Sequence, residues 1–142
     1  MDRRLDKLCK VHLKDGTVQW ILIHIEVQGY LDTLFPKRMF QYFYRSFDRF
    51  DRPITALVIY TDSNKDFHPK SFVLELLGTK QSYTFNTYKV LEQDEEELMK
   101  SDNPFAMVVV STLQSIKKGG TYEKDQLYRL KWAIARRLLE LN

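Results

Sequence analysis

The sequence is poor in cysteine, with Cys9 the only one among its 142 residues. A single thiol cannot form a disulfide within the chain, and it cannot build a zinc site that needs several cysteines. Both absences are typical of proteins in a reducing compartment. We therefore predict a fold held together by a hydrophobic core, which a chain of this length can form.

Long apolar runs and a strong excess of charge are also missing. The opening residues Met1-Asp2-Arg3-Arg4-Leu5-Asp6 are too charged for the core of a signal peptide, and no run is long enough to cross a bilayer. The net charge of +3 permits contact with DNA without requiring it. These features predict a soluble cytoplasmic protein that does not bind membranes, with a single domain over residues 1–142.

The patterns that are present alternate between strand and helix, and they predict an α/β fold. Strands at about 4–13 and 18–27 flank Asp15-Gly16, which is a strong hairpin signal. A helix over about 33–50 and a strand over 54–60 follow, with Pro36 in the first helical turn. The later elements are a hairpin over 71–77 and 83–90 around Gly78-Thr79-Lys80, and helices over about 94–100, 103–118 and 121–141. We expect a mixed β-sheet of about five strands flanked by helices.

The strand that ends at Gln28 carries a carboxylate in apolar surroundings. Isoleucine and leucine occupy both side-chain parities of this strand, which indicates burial on both faces. A buried carboxylate at Glu26 is costly unless a cation neutralises it. Two interpretations are open: an ion pair of Glu26 with Arg38 or Lys7, or one half of a metal site.

Whether Asp6 can join Glu26 at a metal ion depends on the loop between the first two strands. A two-residue loop would put the two carboxylates on opposite faces of the hairpin. A three-residue loop with Gly16 left-handed would put Asp6 opposite His24 and diagonal to Glu26, on the same face. Diagonal neighbours lie about 7–8 Å apart at Cα, which lets two carboxylates share one ion. Without a metal, Asp6 would be an ordinary solvated charge.

The remaining polar side chains of the second strand also allow two interpretations each. Gln28 shares the parity of Glu26, so it could orient a water molecule at the site or simply cap the strand end. His24 could be a metal ligand or a core histidine whose ring is satisfied by its neighbours, and we expect the core role. Two carboxylates and a backbone carbonyl are oxygen ligands of the kind that Mg²⁺ accepts.

The arrangement resembles the core of the PD-(D/E)XK nuclease superfamily. It has an acid on one strand, Glu-x-Gln at the end of the next strand, and a helix after it. The chain is more closely similar to the recombination-promoting nuclease/putative transposase family, in a match that extends to about Lys118. The similar segments are Asp6-Lys7-Leu8, His24-Ile25-Glu26-Val27-Gln28-Gly29, Arg38-Met39-Phe40-Gln41-Tyr42, Phe47-Asp48-Arg49-Phe50-Asp51-Arg52-Pro53 and Ser101-Asp102-Asn103-Pro104-Phe105-Ala106.

The resemblance implies metal-dependent DNA cleavage linked to recombination or mobile elements. It implies that Asp6, Glu26 and the carbonyl of Val27 hold Mg²⁺ or Mn²⁺. Gln28 would then stand where such nucleases usually carry a lysine. The helical residues named by the resemblance, which would touch phosphate or water, are Arg38 and Tyr42.

Members of this family normally have a helix and a strand before the position of Asp6, and often helical sequence beyond the end of this chain. We therefore expect a nuclease-like domain truncated at its N-terminus and possibly at its C-terminus. The alternative function is a non-catalytic DNA-binding or protein-interaction module derived from such a nuclease. Its exposed sheet surface could be covered by formation of a homodimer.

Overall fold

The computed structural model describes residues 4–103 and 106–118 together with Trp132, and within the first strand it describes side chains from Cys9 onward. The described strands and helices follow one another in the order expected of an α/β protein, with a short 3₁₀ turn at Val90–Glu92. They are β1 (Arg4–His12), β2 (Val18–Gln28), α1 (Phe35–Phe50), β3 (Ile54–Tyr60), β4 (Ser71–Leu76), β5 (Thr79–Thr84), β6 (Asn86–Lys89), α2 (Glu95–Met99) and α3 (Ala106–Lys117).

The main sheet has four strands in the order β1-β2-β3-β6. Strand β1 is antiparallel to β2, whereas β2, β3 and β6 run parallel to one another. The prediction of a mixed sheet flanked by helices is confirmed. Among the described residues this sheet has four strands, against the about five expected, and β4 pairs with β5 in a separate two-stranded sheet.

Helices cover both faces of the two central strands, which is why β2 is apolar on both of its parities. Ile23, Ile25 and Val27 pack in one core with the buried face of α3. On the opposite face, Phe35 and Met39 of α1 pack against β3. In the buried second half of β2 the even-numbered side chains therefore lie under α1, and the polar residues among them are His24, Glu26 and Gln28.

Helix α1 is bounded by local sequence signals close to those predicted. It begins at Phe35, two residues later than expected, with Pro36 in its first turn. At its other end Asp51 adopts a left-handed conformation with φ 46°, and its N–H donates to the carbonyl of Phe47 over 2.9 Å. Pro53 lies just beyond, where a further helical turn would be unfavourable.

The prediction for the second hairpin was wrong in its boundaries. The turn consists of Leu77 and Gly78 with φ 48° and 86°, so β5 begins at Thr79 and not at 83. The predicted strand over 83–90 is two elements, because the chain turns away after β5 to bury Phe85 under α1. Residues beyond it form β6, which pairs with β3 in the main sheet.

The two described helices after the sheet agree with the predicted ones. Asp94 caps α2, since its carboxylate accepts hydrogen bonds from the N–H groups of Glu96 and Glu97. Helix α3 ends at Lys117, inside the predicted range of 103–118. The predicted helix over 121–141 lies outside the described residues. None of the described helices is long and apolar enough to span a membrane.

Candidate metal centre

The loop between β1 and β2 has three residues and takes the bulged form that the metal hypothesis requires. Leu13 and Thr17 close it, with the N–H of Leu13 donating to the carbonyl of Thr17 over 2.8 Å. Gly16 is left-handed at φ 85°, a conformation that glycine adopts without steric cost. The N–H and hydroxyl of Thr17 both donate to the Asp15 carboxylate, and they lower its pKa.

This loop sets the register of β1 against β2. The Cα partner of Asp6 is His24, and that of Glu26 is Arg4, so Asp6 occupies a position diagonal to Glu26. Because side chains alternate along a strand, the position of Asp6 falls on the same face as Glu26. Lys7, opposite Ile23, belongs to the other face, which disfavours its pairing with Glu26. The contacts of the Asp6 and Lys7 side chains lie outside the described residues.

Glu26 is buried beside an imidazole in the layer between β2 and α1. The carboxylate oxygen Oε2 of Glu26 lies 3.4 Å from Nε2 of His24, and the two residues are only 7% and 4% exposed. The His24 ring meets Tyr42 of α1 edge-on, with 5.5 Å between the ring centroids. His24 therefore has polar and aromatic neighbours, as expected of a core histidine, and Tyr42 lies above the face that carries Glu26.

Both ends of the Gln28 amide make polar contacts at the carboxyl end of β2. Its Nε2 donates to the carbonyl of Tyr30 over 2.8 Å, and its Oε1 lies 3.5 Å from Nη2 of Arg38. The side chain thus closes the end of the strand, which was one of the two predicted roles. It also ties β2 to the first turn of α1.

Arg38 is held by an acidic side chain that sequence analysis did not identify. Its Nη1 donates to Oδ2 of Asp32, in the segment between β2 and α1, and the alternative pair with Glu26 does not form. The N–H of Leu34 donates to the other Asp32 oxygen over 2.9 Å. These bonds, the backbone one first, hold the pKa of Asp32 below its ordinary value. An acid two residues before the N-cap residue Leu34 was a signal that could have indicated it.

The backbone carbonyl of Val27 points towards the β1 side of β2. The N–H of Thr61, which follows β3, donates to the carbonyl of Gln28 over 2.9 Å, so the Gln28 carbonyl faces β3. Successive carbonyls of a strand point to opposite sides, and that of Val27 therefore faces the side on which Asp6 lies. This is the side on which it would have to lie to share an ion with Asp6.

The residues fit an oxygen-ligated divalent ion in their chemistry and their placement. Carboxylate and carbonyl oxygens suit Mg²⁺ and Mn²⁺, and Glu26 is buried on the face that also carries the position of Asp6. Among the described side chains no group of three or more His, Cys, Asp or Glu residues is arranged to hold a metal ion. A site here would need Asp6 beside Glu26 and the carbonyl of Val27.

A second buried charge, at Lys89 on β6, was also not identified from the sequence. Its ammonium group contacts both carboxylate oxygens of Asp62 at 2.9 Å, together with the carbonyls of Asn64 at 2.7 Å and Phe67 at 2.6 Å. Four acceptors surround a group that has three protons, so this lysine has no proton left for a ligand. Its role is to hold the loop that follows β3.

Comparisons of the chain with family models, with curated proteins and with solved structures found no match. The likeness to the recombination-promoting nuclease family therefore stays a hypothesis carried by the motifs themselves. The side chains between β2 and α1 are the basis for the proposed function.

Proposed function

We propose that this chain is a metal-dependent DNA endonuclease of the PD-(D/E)XK type, which hydrolyses phosphodiester bonds with Mg²⁺ or Mn²⁺. The observation that carries the proposal is the register of the first hairpin. Its three-residue loop brings the strand positions of Asp6 and Glu26 to one face, diagonal to each other. A two-residue loop would have separated them and removed the basis for a shared ion.

Three groups would hold the ion: the carboxylates of Asp6 and Glu26 and the carbonyl of Val27. When bound, such an ion supplies an activated water and neutralises charge on the phosphate. Burial of Glu26 keeps this carboxylate in one orientation, because His24 and the α1 face leave it little freedom. The packing of α1 on β2 also limits access of bulk water to the Glu26 carboxylate.

Arg38 and Tyr42 of α1 would support binding of the phosphate. The Arg38 side chain is 34% exposed, so its guanidinium is accessible to an anionic oxygen. Gln28 orients this guanidinium through its Oε1 and keeps one amide proton for a water molecule. It carries no charge, so charge stabilisation at this end of β2 falls to Arg38. Tyr42 braces His24 from above.

Cleavage of supercoiled plasmid tests the proposal directly. We expect nicking that requires Mg²⁺ or Mn²⁺, stops with a chelator and falls about 100-fold or more in Glu26→Gln, which keeps the side-chain volume but loses the charged ligand. Glu97→Gln, an exposed residue of α2, is the matched control and should cleave like the parent. Equal cleavage by the parent and Glu26→Gln would indicate a contaminating nuclease and remove the assignment.

A second candidate is a non-catalytic DNA-binding or protein-interaction module, functioning as a monomer or a homodimer. It is favoured by the internal contacts of the charged groups, since Glu26 lies against His24 and Arg38 is bonded to Asp32. This candidate predicts DNA binding or self-association that does not change in Glu26→Gln. Titration of a labelled duplex and light scattering, both without metal, separate it from the enzyme.

A further inference from the structure

The ion pair between Asp32 and Arg38 lies at the rim of the candidate centre, where a ligand can reach it. The two side chains are 19% and 34% exposed, whereas Gln28 beneath them is buried. One Asp32 oxygen is fixed by the N–H of Leu34, and the other accepts from the guanidinium. The carboxylate thus has a defined position beside a partly exposed guanidinium.

Carboxylate and phosphate oxygens both accept hydrogen bonds from the N–H groups of a guanidinium. Arginine binds either anion through its parallel N–H groups, so the two compete for one donor set. The Gln28 oxygen, 3.5 Å from Nη2, gives the guanidinium a second contact besides Asp32. Asp32 therefore occupies an Nη1 donor that a nucleic-acid strand could use.

We propose that Asp32 is an internal competitor of the substrate, whose carboxylate takes from Arg38 a hydrogen bond that a DNA phosphate would otherwise accept. The inference takes its ligand class from the proposed function and adds a control on affinity at the same site. The pair is partly exposed, so the competition is modest in size. It would keep the resting protein from holding DNA tightly through Arg38 alone.

The test compares Asp32→Asn with the parent in binding a short fluorescent DNA duplex in the presence of a chelator. Asparagine still accepts the hydrogen bond from Leu34 N–H and so preserves the start of α1. We expect binding to tighten about threefold to tenfold. Asp48→Asn removes the same charge from an exposed position on α1, and it should change the affinity by less than about twofold.

A third variant shows whether the gain acts through Arg38. Adding Arg38→Gln to Asp32→Asn should return the affinity to the parent value or below. Competition with inorganic phosphate identifies the ligand: inhibition strengthened by Asp32→Asn supports a site that accepts free phosphate, and a gain for DNA alone supports a site for the strand. Equal binding by Asp32→Asn and Asp48→Asn, or a gain that survives Arg38→Gln, overturns the inference.

These outcomes are independent of those of the plasmid assay. Nicking that depends on Glu26, with no effect of Asp32→Asn on binding, would remove the competitor and leave the nuclease. Tighter binding by Asp32→Asn without any nicking would remove the nuclease and leave Asp32 as a control on DNA binding.

Discussion

At the scale of single residues, Lys89 is the clearest case of a charge that the core accommodates completely. It is 1% exposed and lies against Asp62, which is 4% exposed. A buried pair of this kind contributes little compared with apolar residues of the same shape, but losing one partner leaves the other charge buried alone. The stability of the molecule should therefore depend strongly on keeping both partners or neither.

Replacement of Lys89 by methionine should lower the free energy of unfolding by about 3–5 kcal/mol, because the Asp62 carboxylate then lacks a cation. The double variant Asp62→Asn/Lys89→Met should lose less than the single one. Lys70→Met, at an exposed position, should stay within about 0.5 kcal/mol of the parent. Urea unfolding measures all three, and a Lys89→Met loss no larger than that of Lys70→Met would contradict this account.

Residue-scale prediction from sequence succeeded where the determinant was local. The burial of Glu26 followed from its apolar neighbours along the strand, and the structure confirms it. The partner of Lys89 could not be predicted in this way, because the pair joins residues 27 positions apart on separate elements. The partner of Arg38 was equally hard to predict, because several acidic residues lie near it in the sequence. The conformation of the turn before α1 places Asp32, and not another acid, beside Arg38.

At the scale of elements, the turn between β4 and β5 carries local strain. Leu77 has φ 48°, in the left-handed region that is sterically unfavourable for leucine. Its side chain is 97% exposed, so burial does not compensate for this cost. Two-residue hairpin turns of this backbone type favour Asn-Gly or Asp-Gly. The chain has the glycine, at Gly78, but a leucine before it.

Leu77→Asn should therefore raise the free energy of unfolding by about 0.5–1 kcal/mol, because asparagine tolerates positive φ. The matched control is Leu76→Asn, which makes the same chemical change at a 70% exposed strand position. That control should be neutral or slightly destabilising, since asparagine is disfavoured in strands. Thermal or urea unfolding decides, and an equal effect of both substitutions would show that backbone conformation is not the cause.

Element boundaries were predictable where proline or a capping residue marks them. Pro36 and Pro53 bracket α1 closely, and Asp94 marks the start of α2. The division between β5 and β6 was not predictable, because Phe85 fits the apolar pattern of a continuous strand. Its departure from the hairpin depends on the space under α1, which is a tertiary feature.

At the scale of the whole molecule, the loop at residues 14–16 determines which residues of β1 share a face with Glu26. Deleting Lys14 would leave Asp15-Gly16 as a two-residue loop, which is itself a favoured hairpin turn. Every residue of β1 would then move to the opposite face. We expect a loss of about 2 kcal/mol or more in stability and the loss of any Glu26-dependent nicking.

The control for this deletion is an insertion of Gly-Ser between Asp15 and Gly16. Two added residues allow the same pairing of β1 with β2, and the longer loop should cost only about 0.5 kcal/mol. Unfolding measurements and the plasmid assay apply to both variants. Equal behaviour of the deletion and the insertion would show that the strand register does not depend on this loop.

Gly16 precedes His24 by eight residues, which is roughly 27 Å at the usual rise of an extended chain. It makes no contact with the groups that would do chemistry, yet it decides whether they can meet. Descendants of this chain should therefore tolerate many different side chains at position 14, while position 16 keeps a residue that accepts a positive φ. They should gain or lose residues there in even numbers, because an odd change would exchange the inner and outer surfaces of the first strand.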